Sequence, residues 1–413
     1  MRLGSPVTND TTGRPAHALL LTSYASFILI GWTGLFVPSL LRLLKEDFAR
    51  SDAEFGLVYL VIALFFGAGA LSSGLIAGRV GRRVVLPAAA LLIGGGMALE
   101  GVAPTWPIFL VGAGLAGAGS GAIDAVVSSV IMDLAVAGSG SGLNRLHLFY
   151  SVGALAGPLT IGLLVGLGVD WRLLALATSL AGVALAGPLA RVGSVPPRPR
   201  PTVSPAAADR RDALQSGLRL ALAALGIAIA CYVAAESGVS SWLVGFLANV
   251  PMTVATVALG GFWGGIAAGR LVASRIADRF DPVHFTASCA VAGGVAILAA
   301  VGVASDPLRI AFFVAAGFAF GPVYPMIMAV AGSLFPHRAA AVAGIVTAAG
   351  VAGSIVYPPL MGLIAGVAGL GAGMLGAALL IFVSGGAVLV AGRLAGAGNA
   401  GRAPEQVEVP GTS

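Results

Sequence analysis

Two carboxylic acids stand alone inside long apolar stretches of the chain. Asp124 lies in AGAGSGAIDAVVS, and Glu236 lies in CYVAAESGVSSWL. If these stretches cross a bilayer with their centres near residues 120 and 232, each carboxyl group lies about 6 Å from the midplane. A charge at that depth costs about 2.5–3.5 kcal/mol, and burial favours the neutral form of an acid. Both acids are therefore predicted to bind and release protons, with a structural hydrogen bond inside a helix bundle as the alternative.

Other polar residues near the ends of apolar stretches are weaker candidates for a functional role. Asn144 and His147 stand about one helical turn apart. His147 would relay protons, cap span five or bond the end of span four. Asp133 is expected to pair with Arg145, and Glu100 is expected to reach water at the end of its helix. No nucleophile–base pair, metal-ligand cluster or phosphate loop is visible, so neither an enzyme nor a cofactor or metal site is predicted.

The elements that must position these residues are membrane helices. The chain has 413 residues, of which 58% are hydrophobic and 10% are charged, whereas soluble domains carry about 25% charged residues. The 61 glycines suit a bilayer, where small residues let helices approach closely. The net charge of +6 comes from scattered basic residues, so a lipid partner is predicted and a nucleic-acid partner is not.

Hydropathy predicts an all-α membrane protein with twelve transmembrane helices in two six-helix bundles. The spans are predicted at 18–41, 55–77, 84–104, 107–133, 146–168, 172–190, 218–246, 253–274, 283–303, 309–333, 340–366 and 371–392. The bundles occupy 18–191 and 218–393, between an N-terminal tail (1–17), a Pro/Arg-rich cytoplasmic linker (192–217) and a disordered C-terminal tail (394–413).

Basic residues predict the orientation. With both termini in the cytoplasm, 18 Lys and Arg residues lie on the inner side and five on the outer side. This asymmetry follows the positive-inside rule and indicates a multi-pass protein of the plasma (inner) membrane.

The two halves also repeat. A shift of 200 residues without gaps places Arg79 on Arg279 and Pro158 on Pro358. The same shift places Asp124 opposite Tyr324 and Phe36 opposite Glu236. Two parallel six-helix repeats predict a substrate site near the midplane, at the interface of the repeats.

Several sequence blocks carry a family resemblance. GLIAGRVGRR, from Gly74 to Arg83, resembles the loop motif of major facilitator transporters. LNRLHLFYSVGALAGPL, CYVAAESGVSSWL and GGFWGGIAAGR, together with the glycine-rich stretch around Asp124, resemble the fucose–proton symporter family and its glucose-transporting relatives. The fucose symporter is expected to use an acid in span one, and this chain has none there.

The resemblance implies roles for further residues. The loop motif implies a cytoplasmic gate, although Gly78 replaces the usual acid in the first half. The gate residues would be Arg79, Arg82, Arg83, Asp278 and Arg279. The alternative is that the arginines only maintain the topology. Aromatic planes pack against sugar rings while acids bond the hydroxyl groups. The candidate cavity aromatics are Trp32, Phe36, Tyr232, Trp242, Trp263, Tyr324 and Tyr357, each of which has helix packing or the lipid interface as its alternative.

Together these features predict a monomeric secondary transporter that carries a neutral monosaccharide with protons or sodium by alternating access. The alternative is a proton-driven efflux antiporter for drugs or metabolites. It is favoured by GALAGPLTIG, which resembles the Gly-Pro motif of antiporters.

Overall fold

A computed structural model describes residues 13–134, 139–195, 216–335 and 339–400. Most residues of the predicted linker and of both predicted tails lie outside these ranges. All regular structure in the described residues is helical, as the apolar stretches predicted.

The helices follow one another with short connections. They are α1 (Gly13–Asp47), α2 (Asp52–Val80), α3 (Arg82–Val102), α4 (Trp106–Leu134), α5 (Ser139–Gly166), α6 (Trp171–Val192), α7 (Ser216–Phe246), α8 (Met252–Ile276), α9 (Pro282–Gly302), α10 (Asp306–Phe320), α11 (Val323–Leu334) and α12 (Ala339–Ala400). A short 3-10 turn, Ala277–Arg279, follows α8.

These helices make twelve crossings within the described ranges. α10 and α11 together form one apolar stretch, Asp306–Leu334. The apolar part of α12, Val342–Leu394, is 53 residues long, or about 80 Å at 1.5 Å per residue, against a hydrocarbon core of about 30 Å. It turns at Gly369, where φ is 79°. The Tyr357 hydroxyl donates to the Gly373 carbonyl at 2.6 Å, so the two arms of α12 lie side by side. The twelve predicted spans are confirmed.

The helices group into two compact units. The first combines Met1–Pro199 with Ser240–Gly264 and Pro359–Leu370, and the second combines Arg200–Val239, Gly265–Pro358 and Gly371–Ser413. These boundaries pass through α7, α8 and α12, because the units are defined by contacts. The domain boundaries predicted from hydropathy therefore stay a prediction.

Close helix crossings in the first unit depend on glycine. α2 packs against α4, and α3 packs against both α4 and α6. A Cβ atom on Gly121 of α4 would lie against the Phe66 carbonyl and 3.1 Å from the Ala70 nitrogen, both on α2. The high glycine content thus serves backbone-to-backbone approach, as expected in a bilayer.

Two sequence predictions about polar residues in this unit are wrong. Asp133 pairs with Arg82, not with Arg145, because the start of α3 meets the end of the adjacent α4; the two charged groups are 2.6 Å apart. Glu100 does not reach water but is only 2% exposed. Its side chain lies over Gly112 of α4, which has no Cβ to displace it.

Candidate functional site

The second unit brings Glu236 into a polar cluster with Tyr232 and Arg270. Tyr232 and Glu236 are one turn apart on α7, and the tyrosine hydroxyl donates to Glu236 Oε1 at 2.7 Å. Arg270, on α8, places a guanidinium nitrogen 3.9 Å from the same oxygen. The side chains of Glu236 and Arg270 are 15% and 29% exposed, so this ion pair remains partly accessible.

Helix packing holds Arg270 in this position. A Cβ on the preceding Gly269 would collide with the Phe318 carbonyl of α10, so only glycine permits this approach. The Arg270 Nε donates a long hydrogen bond of 3.4 Å to the Gly321 carbonyl, at the end of α10. The guanidinium group of Arg270 therefore interacts with both α7 and the end of α10.

An aromatic surface adjoins the cluster. The Tyr232 ring lies 5.7 Å from the Phe320 ring and 6.3 Å from the Tyr324 ring, measured between centroids. Tyr232 thus combines a fully buried ring with a hydroxyl group that bonds the carboxylate. Of the aromatic residues predicted from the sequence, Tyr232 contacts Glu236, and Tyr324 lies beside Tyr232.

The cluster can act as a proton-sensitive contact. An ionised Glu236 attracts Arg270 and accepts from Tyr232, and both interactions are strengthened by the low dielectric constant of the surroundings. A proton on Glu236 removes the charge and, with it, the attraction to Arg270. Binding or loss of one proton would thereby change the link between α7 and α8.

Asp124 belongs to the first unit. It is half-buried and follows Ser120 by one turn of α4, so the two side chains share a helix face. The Ser120 hydroxyl lies 3.5 Å from the Thr33 hydroxyl of α1. Asp124 has no hydrogen-bond or ion-pair partner among the residues described, which leaves its carboxyl group available to a ligand.

Asn144 and His147 both lie on α5. The His147 ring meets Phe27 of α1 edge-on, with centroids 5.5 Å apart, and its backbone carbonyl accepts from Ser151 at 3.2 Å. The side chain of Asn144 is outside the described part of the chain. Neither a proton relay nor a helix cap is tested by these contacts, so both roles of His147 stay predictions.

The other predicted cavity aromatics have packing contacts. The Trp32 indole donates to the Thr178 hydroxyl at 3.0 Å, and Tyr357 joins the two arms of α12. Phe36 and Trp242 are fully buried, the latter edge-on to Tyr59. Trp263 lies 5.7 Å from the Tyr150 ring, and its indole N–H has no partner in the described chain.

The predicted gate residues differ in their surroundings. Arg82 is in the ion pair with Asp133, which joins α3 to α4. Arg79, Arg83, Asp278 and Arg279 are exposed at the ends of α2 and α8 or the start of α3. Each of the last four lacks an ion-pair partner among the described groups, so the gate role stays a prediction.

Arg270 was missed as a site residue by the sequence reasoning. Arg270 is one of the 18 basic residues on the predicted inner side, although it lies inside the predicted span 253–274. A cation inside the hydrocarbon core is also costly, and the charge of Arg270 is opposite to that of Glu236. The described residues contain no group of His, Cys, Asp or Glu side chains that would hold a metal ion.

Comparisons with known proteins agree with this architecture. The sequence profile described as Major Facilitator Superfamily matches residues 21–250, which is more than half of the chain. No curated protein matches the sequence significantly.

Solved structures share the fold. A bacterial homologue of the human lysosomal transporter Spinster, inward-facing and occupied, matches with a TM-score of 0.77 at 15% identity, over 92% of this chain and 98% of that one. A D-xylose–proton symporter matches with a TM-score of 0.72 at 14% identity, over 90% of this chain and 96% of that one. The fucose–proton symporter of E. coli matches with a TM-score of 0.58 at 18% identity, over 91% of this chain and 98% of that one.

At these identities the structural matches show the fold, and the profile shows the family. Twelve helices in two six-helix bundles are the architecture of that family, and its members are membrane transporters and not enzymes. From the sequence profile and the twelve crossings together, we conclude that this chain belongs to the Major Facilitator Superfamily.

Proposed function

We propose that this transporter carries a neutral monosaccharide together with protons, by alternating access. The observation that carries the proposal is the cluster of Tyr232, Glu236 and Arg270. Glu236 is the proposed coupling acid, because its charge state sets the strength of its attraction to Arg270. Asp124 is proposed to bond hydroxyl groups of the sugar, since its half-buried carboxyl group has no partner in the described part of the chain.

The choice of a sugar is supported by side-chain chemistry. Tyr324 is half-buried and lies beside the Tyr232 ring. It therefore offers an aromatic face near a carboxylate and a guanidinium group, a combination that suits a ring with polar hydroxyl groups and apolar C–H faces. Two of the similar structures are a D-xylose–proton symporter and a fucose–proton symporter. That likeness is one of fold, so the substrate class remains our proposal.

The proposed setting is the plasma (inner) membrane, with both termini in the cytoplasm and a single chain as the working unit. Protons are the proposed coupling ion because one carboxyl group with a hydroxyl and a guanidinium neighbour suits a proton. A sodium site would need more oxygen ligands than the described cluster provides. Sodium remains the alternative ion for the transport assay to distinguish.

The efflux antiporter remains the alternative function. Its sequence support is GALAGPLTIG on α5, and packing explains part of that motif. A Cβ on Gly153 would collide with the Ile28 carbonyl of α1, and one on Gly157 would lie 3.5 Å from the Trp32 Cα. Because these glycines bring α5 close to α1, the motif does not by itself indicate export.

Glu236→Gln tests the coupling role. The glutamine mimics a protonated acid, so this variant is expected to retain binding and exchange of sugar between two loaded sides. It should lose accumulation driven by a pH gradient. The measurement is uptake of labelled monosaccharides into proteoliposomes, with a proton gradient, with a sodium gradient and with neither.

Two further variants are compared with Glu236→Gln in the same assay. Glu46→Gln, at an exposed carboxylate near the end of α1, should accumulate sugar as the parent does. Asp124→Asn should weaken sugar binding by about 1.5–3 kcal/mol, the range for hydrogen bonds to charged groups. Accumulation by Glu236→Gln equal to that of the parent would rule out Glu236 as the coupling residue. Drug resistance without sugar uptake in cells would favour the antiporter.

A further inference from the structure

Glu100 is a buried acid that the proposed transport site does not use. It lies in the last turn of α3 and is 2% exposed. Its Oε2 atom has no hydrogen-bond partner among the described protein atoms. An unpaired ionised carboxylate in such a place carries a large desolvation cost, which a carboxyl group avoids by binding a proton.

The site is enclosed by a glycine crossing of α3 and α4. A Cβ on Gly96 would lie 2.6 Å from the Gly112 carbonyl, and one on Gly112 would lie 2.8 Å from the Gly96 carbonyl. The same Cβ on Gly112 would lie 3.0 Å from the Glu100 Cγ. The stem of the Glu100 side chain therefore lies against the space that the missing Gly112 side chain leaves, one turn from the point where the two backbones meet.

The charged groups on the surrounding helices have other partners or lie elsewhere. On α6, the carbonyl of Arg172 faces Gly101, while its guanidinium binds Asp47 at 2.7 Å. α6 carries its other cation, Arg191, in its last turn. On α4, Asp124 follows Gly112 by twelve residues, about 18 Å along the helix, and Asp133 binds Arg82.

The remaining neighbour of α3 is α2. Its Asp52 and Glu54 bind Lys45 and Arg50, and its Tyr59 hydroxyl donates to the Ser241 carbonyl. Arg79 stands at the opposite end of α2, beside the turn that begins α3. None of the described cations lies within ion-pair distance of Glu100, so nothing charged on these helices compensates an ionised form.

We propose that Glu100 is a second proton-binding site of this transporter, occupied by a proton and closed to water by the Gly96–Gly112 crossing. The ligand is a proton, held as a neutral carboxylic acid outside the proposed coupling cluster. Exchange of this proton with water then requires α3 and α4 to separate at this end. The site would respond to helix movement and not directly to bulk pH.

Infrared spectroscopy of the reconstituted full chain tests the proposal. The sample is Glu236→Gln protein with carbon-13 in its glutamate carboxyl groups, measured at neutral pH, because exposed glutamates are then ionised. One isotope-shifted carbonyl band of a protonated acid is expected, and it should be lost in Glu236→Gln/Glu100→Gln. After transfer to D2O, the band should shift much more slowly than the exposed groups exchange.

Proton binding at Glu100 and closure of the site to water are tested by separate outcomes. Neither outcome requires the double variant to fold. Absence of a protonated glutamate band in Glu236→Gln protein would overturn proton binding at Glu100. An immediate deuterium shift would overturn the closed site. Neither result bears on sugar uptake, so failure here is distinguishable from failure of the proposed symport.

Discussion

At the residue scale, one oxygen atom of Glu236 has two competing neighbours. Tyr232 donates to Oε1 at 2.7 Å, while Arg270 approaches the same atom at 3.9 Å. The hydroxyl contact is the closer one and survives protonation of the acid, whereas the Coulomb attraction of Arg270 does not. Tyr232 can therefore hold the carboxyl group in place while the attraction between Glu236 and Arg270 is lost.

Asp281 is a titratable residue that lies outside the membrane-spanning segments, just before α9. Its side chain accepts from the backbone N–H of His284 at 2.9 Å and caps the start of α9. That backbone hydrogen bond holds the pKa of Asp281 below its usual range. Because the pKa is lower in the folded protein, the stabilisation is present above the unfolded-state value and is lost as the pH falls through the folded-state value.

Asp281→Ala is therefore expected to lower stability at neutral pH, by about 0.5–2 kcal/mol for a lost cap. The difference from the parent should shrink in acid. Thermal unfolding in detergent across a pH series measures it. Asp281→Asn keeps a capping oxygen without the titration and should stay close to the parent at neutral pH. A deficit of Asp281→Ala that is constant across the series would contradict the assignment.

The sequence identified the acids of the site better than their partners. Asp124 and Glu236 were found because an isolated charge in an apolar stretch carries a computable cost. The pairing of Glu236 with Arg270, and of Asp133 with Arg82, depends on which helix faces become neighbours. That information comes from packing, which a pattern along one helix does not contain.

At the element scale, glycine determines how closely two helices approach. Gly121 brings α4 against α2, while Gly78 near the end of α2 has open space around its Cβ position. The two glycines thus form a matched pair, since both are helical and only one is at a crossing. Gly121→Ala is expected to cost about 1–3 kcal/mol by overpacking.

Gly78→Ala should leave stability unchanged or slightly raise it, because alanine restricts the unfolded chain. Thermal unfolding of the two purified variants in detergent compares them. Equal melting temperatures for both alanine variants would show that the crossing tolerates a methyl group, contrary to the geometry described.

The ion pair of Arg82 and Asp133 ties the start of α3 to the end of α4. Its side chains are largely buried, so removing one partner leaves an uncompensated charge, at about 3–5 kcal/mol. Asp133→Leu should therefore be strongly destabilised, whereas Arg82→Met/Asp133→Leu should recover most of the loss. Arg83→Met, at the exposed neighbouring arginine, is the control. A double variant no more stable than Asp133→Leu would contradict the pairing.

At the scale of the whole molecule, helix number and order followed from hydropathy, because a bilayer requires apolar segments of a given length. Hydropathy does not report which segments make contact. The boundaries between the two compact units fall inside α7, α8 and α12. The hydrophobic pattern of these helices gives no sign of those boundaries. The sequence thus predicted the fold class and the crossings, but not the contact boundaries.

The proposed orientation predicts which connections face outward. With the N-terminus inside, the turn before α10 lies outside and the turn after α8 lies inside. In a Cys231→Ala/Cys289→Ala background, Ser305→Cys should react with a membrane-impermeant maleimide in intact cells, whereas Asp278→Cys should react only after the membrane is opened. The side chains of Ser305 and Asp278 make no hydrogen bond or ion pair with the described residues. The reverse labelling pattern would overturn the orientation.

The turn at Gly369 also bears on biosynthesis. Between Arg338 and Arg393 the sequence contains no charged residue, so the insertion machinery meets two spans joined by a single left-handed glycine. No polar loop is present to be carried across the membrane between them. The last two spans must therefore partition into the lipid as one helical hairpin. The turn of that hairpin has a positive φ, a conformation that favours a residue without a side chain.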